Sequence, residues 1–256
     1  MKQYFAFIYK EYLELYRGGK LYILMALAVL QGIMNPALAK LTPLLFEMLG
    51  EELAEQGMVI HEVTVTALTS WSQFYKNLSI AIIIPAIFFA GIMASEYQRG
   101  TLINLLTKGL ERWKVIAAKL SFMIIAWTIY FFIFFILTYS YTGFYWDNSI
   151  IYNILPAALG IYLFGIMLMS LVILGAVITT SATSSLLFGG GVFIIMYFIS
   201  VLPKIGNFVP MKLLSMELIA QNGINFDSYG LPLIITVAIT VLSAGGAIVA
   251  FSKRRL

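Results

Sequence analysis

Very few side chains in this 256-residue chain could do covalent or metal chemistry. There is no cysteine and only one histidine, His61, which excludes a thiol nucleophile, a Cys-based zinc site and any centre built from several histidines. His61-Glu62 opens like the H-E-x-x-H of zinc proteases, but the fifth position is Val65 and no second histidine exists to complete it. No G-x-x-x-x-G-K-[ST] occurs. Gly189-Gly190-Gly191 sits in an apolar run with no lysine after it, so the chain has no loop to cradle nucleotide phosphates. The polar groups left to consider are Gln31 and Asn35, one helical turn apart, and a charged, glycine-containing stretch from Ser95 to Lys114. Gln31 and Asn35 suit either the wall of a translocation path or hydrogen bonds between helices.

The elements that must position these groups follow from composition. The chain is 61% hydrophobic and 11% charged, with a mean hydropathy of +0.93. A soluble domain carries about 45–50% apolar and about 25% charged residues, so a globular core cannot absorb this excess. A membrane-crossing helix needs about 20 mostly apolar residues to span a hydrocarbon layer about 30 Å thick. Six segments meet that length, at approximately 21–39, 78–95, 115–143, 156–179, 185–202 and 231–251. Apart from Lys119 near the start of the third, none carries Asp, Glu, Lys, Arg or His, and the aqueous loops are expected to hold the charge. With six crossings, the side bearing the termini sums to +8 and holds twelve of the sixteen basic residues, Lys119 among them, while the other side sums to −4. The positive-inside rule then places both termini in the cytoplasm. Membrane insertion accounts for the basic balance without nucleic acid, and the opening residues lack the apolar core of a cleavable signal peptide.

Residues 2–17 place Phe5, Ile8, Tyr9, Tyr12, Leu13 and Tyr16 on one helical face, with Gln3, Lys10, Glu14 and Arg17 opposite. That pattern predicts an interfacial helix, either an elbow linked to a cytoplasmic partner or a simple anchor. In the loop at 96–114, Thr101 follows Gly100 and can cap a short helix with Leu102, Leu105 and Leu106 on one side. Gly109 can end that helix, and Arg112, Trp113 and Lys114 suit the headgroup layer where the third span begins. An apolar stripe on so short a helix requires a surface, either lipid headgroups or a partner.

Glu96, Gly100-Thr101, the leucines after them, Arg112-Trp113-Lys114 and Lys119 closely resemble the glutamate–x₃–glycine–threonine signature of ABC type-2 exporter permeases. The resemblance extends to an elbow helix, six spans, a sizeable first external loop at 40–77 and a Pro-bearing external segment at 203–230. The chain departs from it at Gly109-Leu110, where many members have a proline. The resemblance implies an all-α membrane protein of a single transmembrane domain, 1–256, with an elbow helix over 1–19. It implies a coupling helix in which Leu102, Leu105 and Leu106 dock on a separate ATPase, Glu96 fixes the end of the second span, Gly100 allows the turn, and Arg112 belongs to the same surface. It also implies short re-entrant helices over 203–230 that close the outer end of the pathway.

The source of energy can be argued separately. Ion-coupled carriers place carboxylates or histidines within the membrane, at about 2.5–3.5 kcal/mol per charge on insertion scales. No such residue is read within these spans, and with no phosphate loop the chain must borrow its energy through cytoplasmic loops. The expected assembly therefore pairs this chain with a second permease copy, as a homodimer or with a relative, above two ATPase subunits in the cell membrane. ATP and Mg would bind the ATPase; this chain is expected to bind no cofactor and no metal, and to catalyse nothing. A hydrophobic or amphipathic cargo fits spans without charge, with exported peptide the first expectation and lipids and drugs open. The rival readings are an ion-coupled carrier or channel, and an anchor or assembly protein without transport.

Three minor features complete the reading. The segment between Leu41 and Lys76, with Glu47, Glu51, Glu52 and Glu55, reads as an external amphipathic helix, its acidic face solvated or attracting a cationic substrate. The turn Thr179–Ser185 is either a smaller ATPase contact or tight helix packing. Ser181, Ser185 and Gly189 form a small-residue stripe that favours close packing within the bundle.

Overall fold

The computed structural model describes residues 2–54, 64–107, 109–220 and 226–254, with side chains at 49–54, 105, 218 and 226–228 also outside the description. All regular structure among the described residues is helical. The helices are α1 (Lys2–Arg17), α2 (Lys20–Ala54), α3 (Ala67–Ala90), α4 (Ala94–Arg99), α5 (Thr101–Thr107), α6 (Arg112–Tyr145), α7 (Ile154–Thr179), α8 (Ala182–Ser200), α9 (Glu217–Ala220) and α10 (Phe226–Lys253). Six stretches are long and apolar enough to cross a membrane: Lys20–Met48, Ala67–Arg99, Arg112–Tyr145, Ile154–Thr179, Ala182–Ser200 and Tyr229–Lys253.

Two of these differ from the expected bounds. Helix α2 does not stop near Ala39 but runs on to Ala54, and α3 starts at Ala67 rather than near Leu78. The helix expected within the external segment at 40–77 is therefore not a separate element: 40–54 continues α2, and 67–77 belongs to α3. Leu41, Leu44, Leu45 and Met48 keep the helical period going past Lys40 and Pro43. Lys40 does not end the helix because its ammonium sits 4.0 Å from the centre of the Tyr145 ring. Pro36 is accommodated for a similar reason: having no N–H, it leaves the Gly32 carbonyl without its helical donor, and Thr138 Oγ1 on α6 lies 3.0 Å from that oxygen. His61-Glu62 and Glu55 lie outside the described residues, as do the side chains of Glu51 and Glu52.

Helix α7 is the central element, buried over most of its circumference, and packs on α10, α8, α6 and α3. Helices α2, α3 and α6 pack mutually as one set, while α8 and α10 flank α7 as another. The sets meet where Gly165 of α7 faces Trp127 of α6, so closely that a Cβ at position 165 would fall 2.1 Å from the indole. Segments Gly206–Phe208, Pro210–Leu214 and α9 form short helical turns on the side away from the termini. They are folded onto the bundle: Leu213 is buried near Gly160, and the Ile219 carbonyl accepts from the Tyr152 amide at 3.0 Å.

Helix α1 lies against α6, with Tyr4 Oη 2.6 Å from Ser121 Oγ. The aromatic stripe Phe5, Tyr9, Tyr12 and Tyr16 faces outward, with the tyrosine rings in sequential contact through to Tyr22. The face turned to the protein is instead Phe7, Glu11 and Leu15, at i, i+4 and i+8.

Candidate functional site

On the side of the termini, the second span breaks at Gly91-Ile92-Met93 before resuming as α4. A break frees backbone carbonyls, and a buried carbonyl needs a donor. Lys119 supplies it: its ammonium is 3.0 Å from the Ile92 oxygen, 2.8 Å from Glu11 Oε1 and 3.2 Å from Glu96 Oε1. Its three donors thus have three acceptors in a fully buried position, with Glu11 and Glu96 only 4% and 3% exposed. This corrects the expectation that charge is confined to aqueous loops. Two buried carboxylates and a buried lysine are tolerated because each is paired and hydrogen-bonded.

The cluster extends outward. Lys10 contacts Glu11 and Glu14 at 3.0 Å each and also Glu96, while Arg99 lies 3.7 Å from Glu14. Burial by itself lowers the Lys10 pKa, but the neighbouring Glu11 and Glu96 carboxylates hold it above the usual lysine range. Three cations face three carboxylates, so the group is electroneutral. The oxygens of Glu11, Glu14 and Glu96 lie within 4.8 Å of one another, the spacing of a cation site, yet Lys10 contacts all three and, together with Lys119 and Arg99, balances the charge that would attract a metal ion.

Glu96 also receives the hydroxyl of Thr101 across Gly100, whose φ of 63° is the left-handed conformation that glycine adopts without strain. That turn sets α5 against the body. Leu102 is buried in the chain's own core and Leu106 is half-buried against it, whereas Ile103 is 51% exposed and Asn104 and Thr107 are exposed. The expected outward stripe is thus turned inward at Leu102, because the seven-residue helix lies down on the bundle rather than standing away from it. The Leu105 side chain lies outside the described residues.

Arg112 is likewise engaged within the chain. Its guanidinium donates to the carbonyls of Phe251 and Ser252, at 3.4 and 3.2 Å, and to that of Arg254, closing the end of α10. Arg254 in turn donates to the carbonyls of Val177 and Ile178 at the end of α7, and its guanidinium carbon lies 5.0 Å from the centre of the Tyr97 ring on α4. Beside this contact is a pocket of about 270 Å³, with Tyr97, Leu102 and Ile103 on one wall and Thr180 and Arg254 on the other.

Gln31 and Asn35 are buried and spent on hydrogen bonds between helices. Gln31 accepts from Tyr130; Asn35 donates to Thr138 at 3.0 Å and accepts from Asn77 at 2.8 Å. Neither faces an open path in this conformation. In the turn after α7, Ser181 caps α8 by accepting from the Ser184 amide at 3.1 Å, and Ser185 donates to the Val172 carbonyl at 2.8 Å. Ser185 and Gly189 pack against α7, so at these two positions the small-residue stripe serves the bundle itself.

Sequence reasoning missed Lys10, Glu11, Tyr97 and Arg254. Glu11 carried a signal: it interrupts an apolar stripe at Phe7 and Leu15, which a solvated glutamate has no reason to do. Arg254 carried none, because basic residues at the end of a last span are explained by topology alone.

Among known proteins, the family model described as ABC-2 family transporter protein matches residues 6–243. Neither a curated protein nor a solved structure matches the chain. The match covers α1 from residue 6, the six long apolar helices up to the late part of α10, and the short α4–α5 pair with its ion cluster. The chain therefore belongs to the ABC-2 family of transporter proteins, as a membrane-embedded transport subunit rather than a catalytic one.

Proposed function

We propose that this chain is the permease of an ATP-driven exporter in the cell membrane, with both termini cytoplasmic and α5 as the element that meets a separate ATPase. The observation that carries this reading is the mounting of α5. It is tied to the second span by the Glu96–Thr101 contact and to the core by Leu102, while Ile103, Asn104 and Thr107 point away from the body. The docking surface is accordingly centred on Ile103, Asn104 and Thr107, with Leu102 holding the helix in place. Arg112 is not part of that face, because its guanidinium is bound to the carbonyls at the end of α10.

Glu11 and Glu96 are buried, but lysines neutralise them, which leaves no free buried carboxylate in this cluster to bind a coupling proton or sodium ion. ATP and Mg bind the partner; two ATPase copies sit beneath two permeases, either identical or related. Closure of the ATPase pair moves the two α5 helices together and switches access across the bundle. The cargo is hydrophobic or amphipathic, with peptides first.

The test is mild-detergent affinity purification of the full chain, with co-purifying subunits identified. A Walker-containing ATPase is the expected partner, and its absence would overturn the proposal. Ile103→Asp, on an exposed position, is expected to lower ATPase recovery at least tenfold while leaving the permease itself folded; undiminished recovery would remove α5 as the docking element.

A further inference from the structure

We infer that Arg254 and Tyr97 form a clasp that joins α4–α5 to the ends of α7 and α10, giving the short helix pair a mechanical hold on the C-terminal set of spans. The inference rests on the proposed role of α5. The ion cluster ties α4 to α1 and α6 only, because its members are Lys10, Glu11 and Glu14 on α1, Glu96 and Arg99 on α4, and Lys119 on α6. Nothing in it reaches α7, α8 or α10.

The arginines make that reach. Arg112, at the start of α6, donates to three carbonyls at the end of α10, and Arg254 passes from there to two carbonyls at the end of α7. A guanidinium suits the task because its five donors lie in one plane, so it can cap a helix end and still present a face to an aromatic ring. Tyr97 provides the ring from α4. The pocket beside it separates Leu102 and Ile103 from Thr180, so this cation–ring contact bridges a gap that packing leaves open. A pull on α5 is thereby delivered to α1 and α6 by ion pairs, and to α7 and α10 by the clasp.

The chain has no native cysteine, so spin labels can be placed one pair at a time. The positions are Gln98 on α4 with Leu242 on α10, and Gln98 with Gln3 on α1 as the internal reference; all three are exposed. In the isolated chain, pulsed electron resonance distances should widen about twofold for 98–242 in Arg254→Gln and stay unchanged for 98–3. Tyr97→Leu keeps the α7 cap and should widen the same pair selectively, while Arg254→Lys, which keeps the charge but lacks the guanidinium's fork of donors, should give an intermediate width. Equal widths in wild type and both Arg254→Gln and Tyr97→Leu would overturn the clasp. In the complex with its ATPase, ATP should shift both pairs in wild type and only 98–3 in Arg254→Gln; a normal 98–242 shift in that variant would also overturn it. If ATP moves neither pair in wild type, the coupling role of α5 fails, and the isolated-chain widths still decide the clasp.

Discussion

Helices α2, α3 and α6 are joined to each other by side-chain hydrogen bonds, whereas α7, α8 and α10 keep most of their hydroxyls to themselves. In the first set Gln31 meets Tyr130, Asn35 meets Thr138 and Asn77, and Ser70 lies 2.7 Å from Thr142. In the second set Ser170, Thr179, Thr236 and Thr240 each bond the carbonyl four residues earlier on their own helix. Contact along these helices comes largely from small residues, since Gly175 faces Phe188, Gly189 faces Val172 and Gly246 faces Leu174, with Ser185 adding one bond to the Val172 carbonyl and Arg254 closing the end of α7. Hydrogen bonds are directional and fix one register, while smooth packed faces allow the small sliding of shear motions. Rigidity thus belongs to the first set and adjustability to the second; they meet chiefly along α7, where Trp127 of α6 donates to the Tyr162 carbonyl at 3.0 Å, with α10 also packing on α6.

The firmest point of the rigid set is Lys119, and removing it should give the largest effect. Lys119→Ala leaves Glu11 and Glu96 buried with one partner fewer and the Ile92 carbonyl without its donor. Breaking a buried pair in this way costs about 3–5 kcal/mol, and equilibrium unfolding in bicelles would measure it. A loss below about 1 kcal/mol would mean that the cluster does not clamp α1 to the bundle. Lys119→Met combined with Glu11→Gln should recover part of the loss by removing the uncompensated charge.

The packed set should respond to added volume instead. Gly175→Ala places a Cβ 2.9 Å from Phe188 Cβ and 3.1 Å from the Ser185 carbonyl, so α8 must shift away from α7. Overpacking of this kind costs about 1–3 kcal/mol. Gly190→Ala on α8 is the control, since its Cβ would meet nothing within 4 Å, and it should lie within about 0.5 kcal/mol of wild type. Equal costs for the two alanines would mean that close packing of α8 on α7 at Gly175 does not hold this set together.

Much of this was legible in the residues, and the exceptions have physical causes. The six spans announced themselves because a run of apolar residues long enough to cross a bilayer has few other uses. The extension of α2 did not, because Lys40 and Pro43 resemble a helix stop until Tyr145, over a hundred residues away, is seen to receive the lysine. The α4–α5 pair was visible in Gly100-Thr101 and the leucines, but periodicity reports only that a stripe exists. Which way Leu102 points depends on where Gly100 turns the chain, and only the fold decides that. Glu11 and Lys119 were counted as aqueous charges because their partner is 108 residues distant in the chain. A charge is read as exposed until the group that neutralises it is found.

The smallest expected effect is the most discriminating for the hydrogen-bonded seam. Asn35 is fully buried and links α2 to both α3 and α6, so Asn35→Ala removes one acceptor for Asn77 and one donor to Thr138. In water-free surroundings such bonds would be expected to count heavily, but transmembrane hydrogen bonds average only about 0.6 kcal/mol and reach about 1.7 at most. Asn35→Ala should therefore destabilise the chain less than Gly175→Ala. Its signature is coupling, read by a cycle with Thr138→Val. If the seam fixes register, the double variant should lose measurably less than the sum of the singles, because each single already breaks the shared bond. Strict additivity would mean that Asn35 and Thr138 stabilise their helices independently. In that case the two sets of spans would differ in composition and not in stiffness, and the adjustable interface would have to be sought elsewhere than along α7.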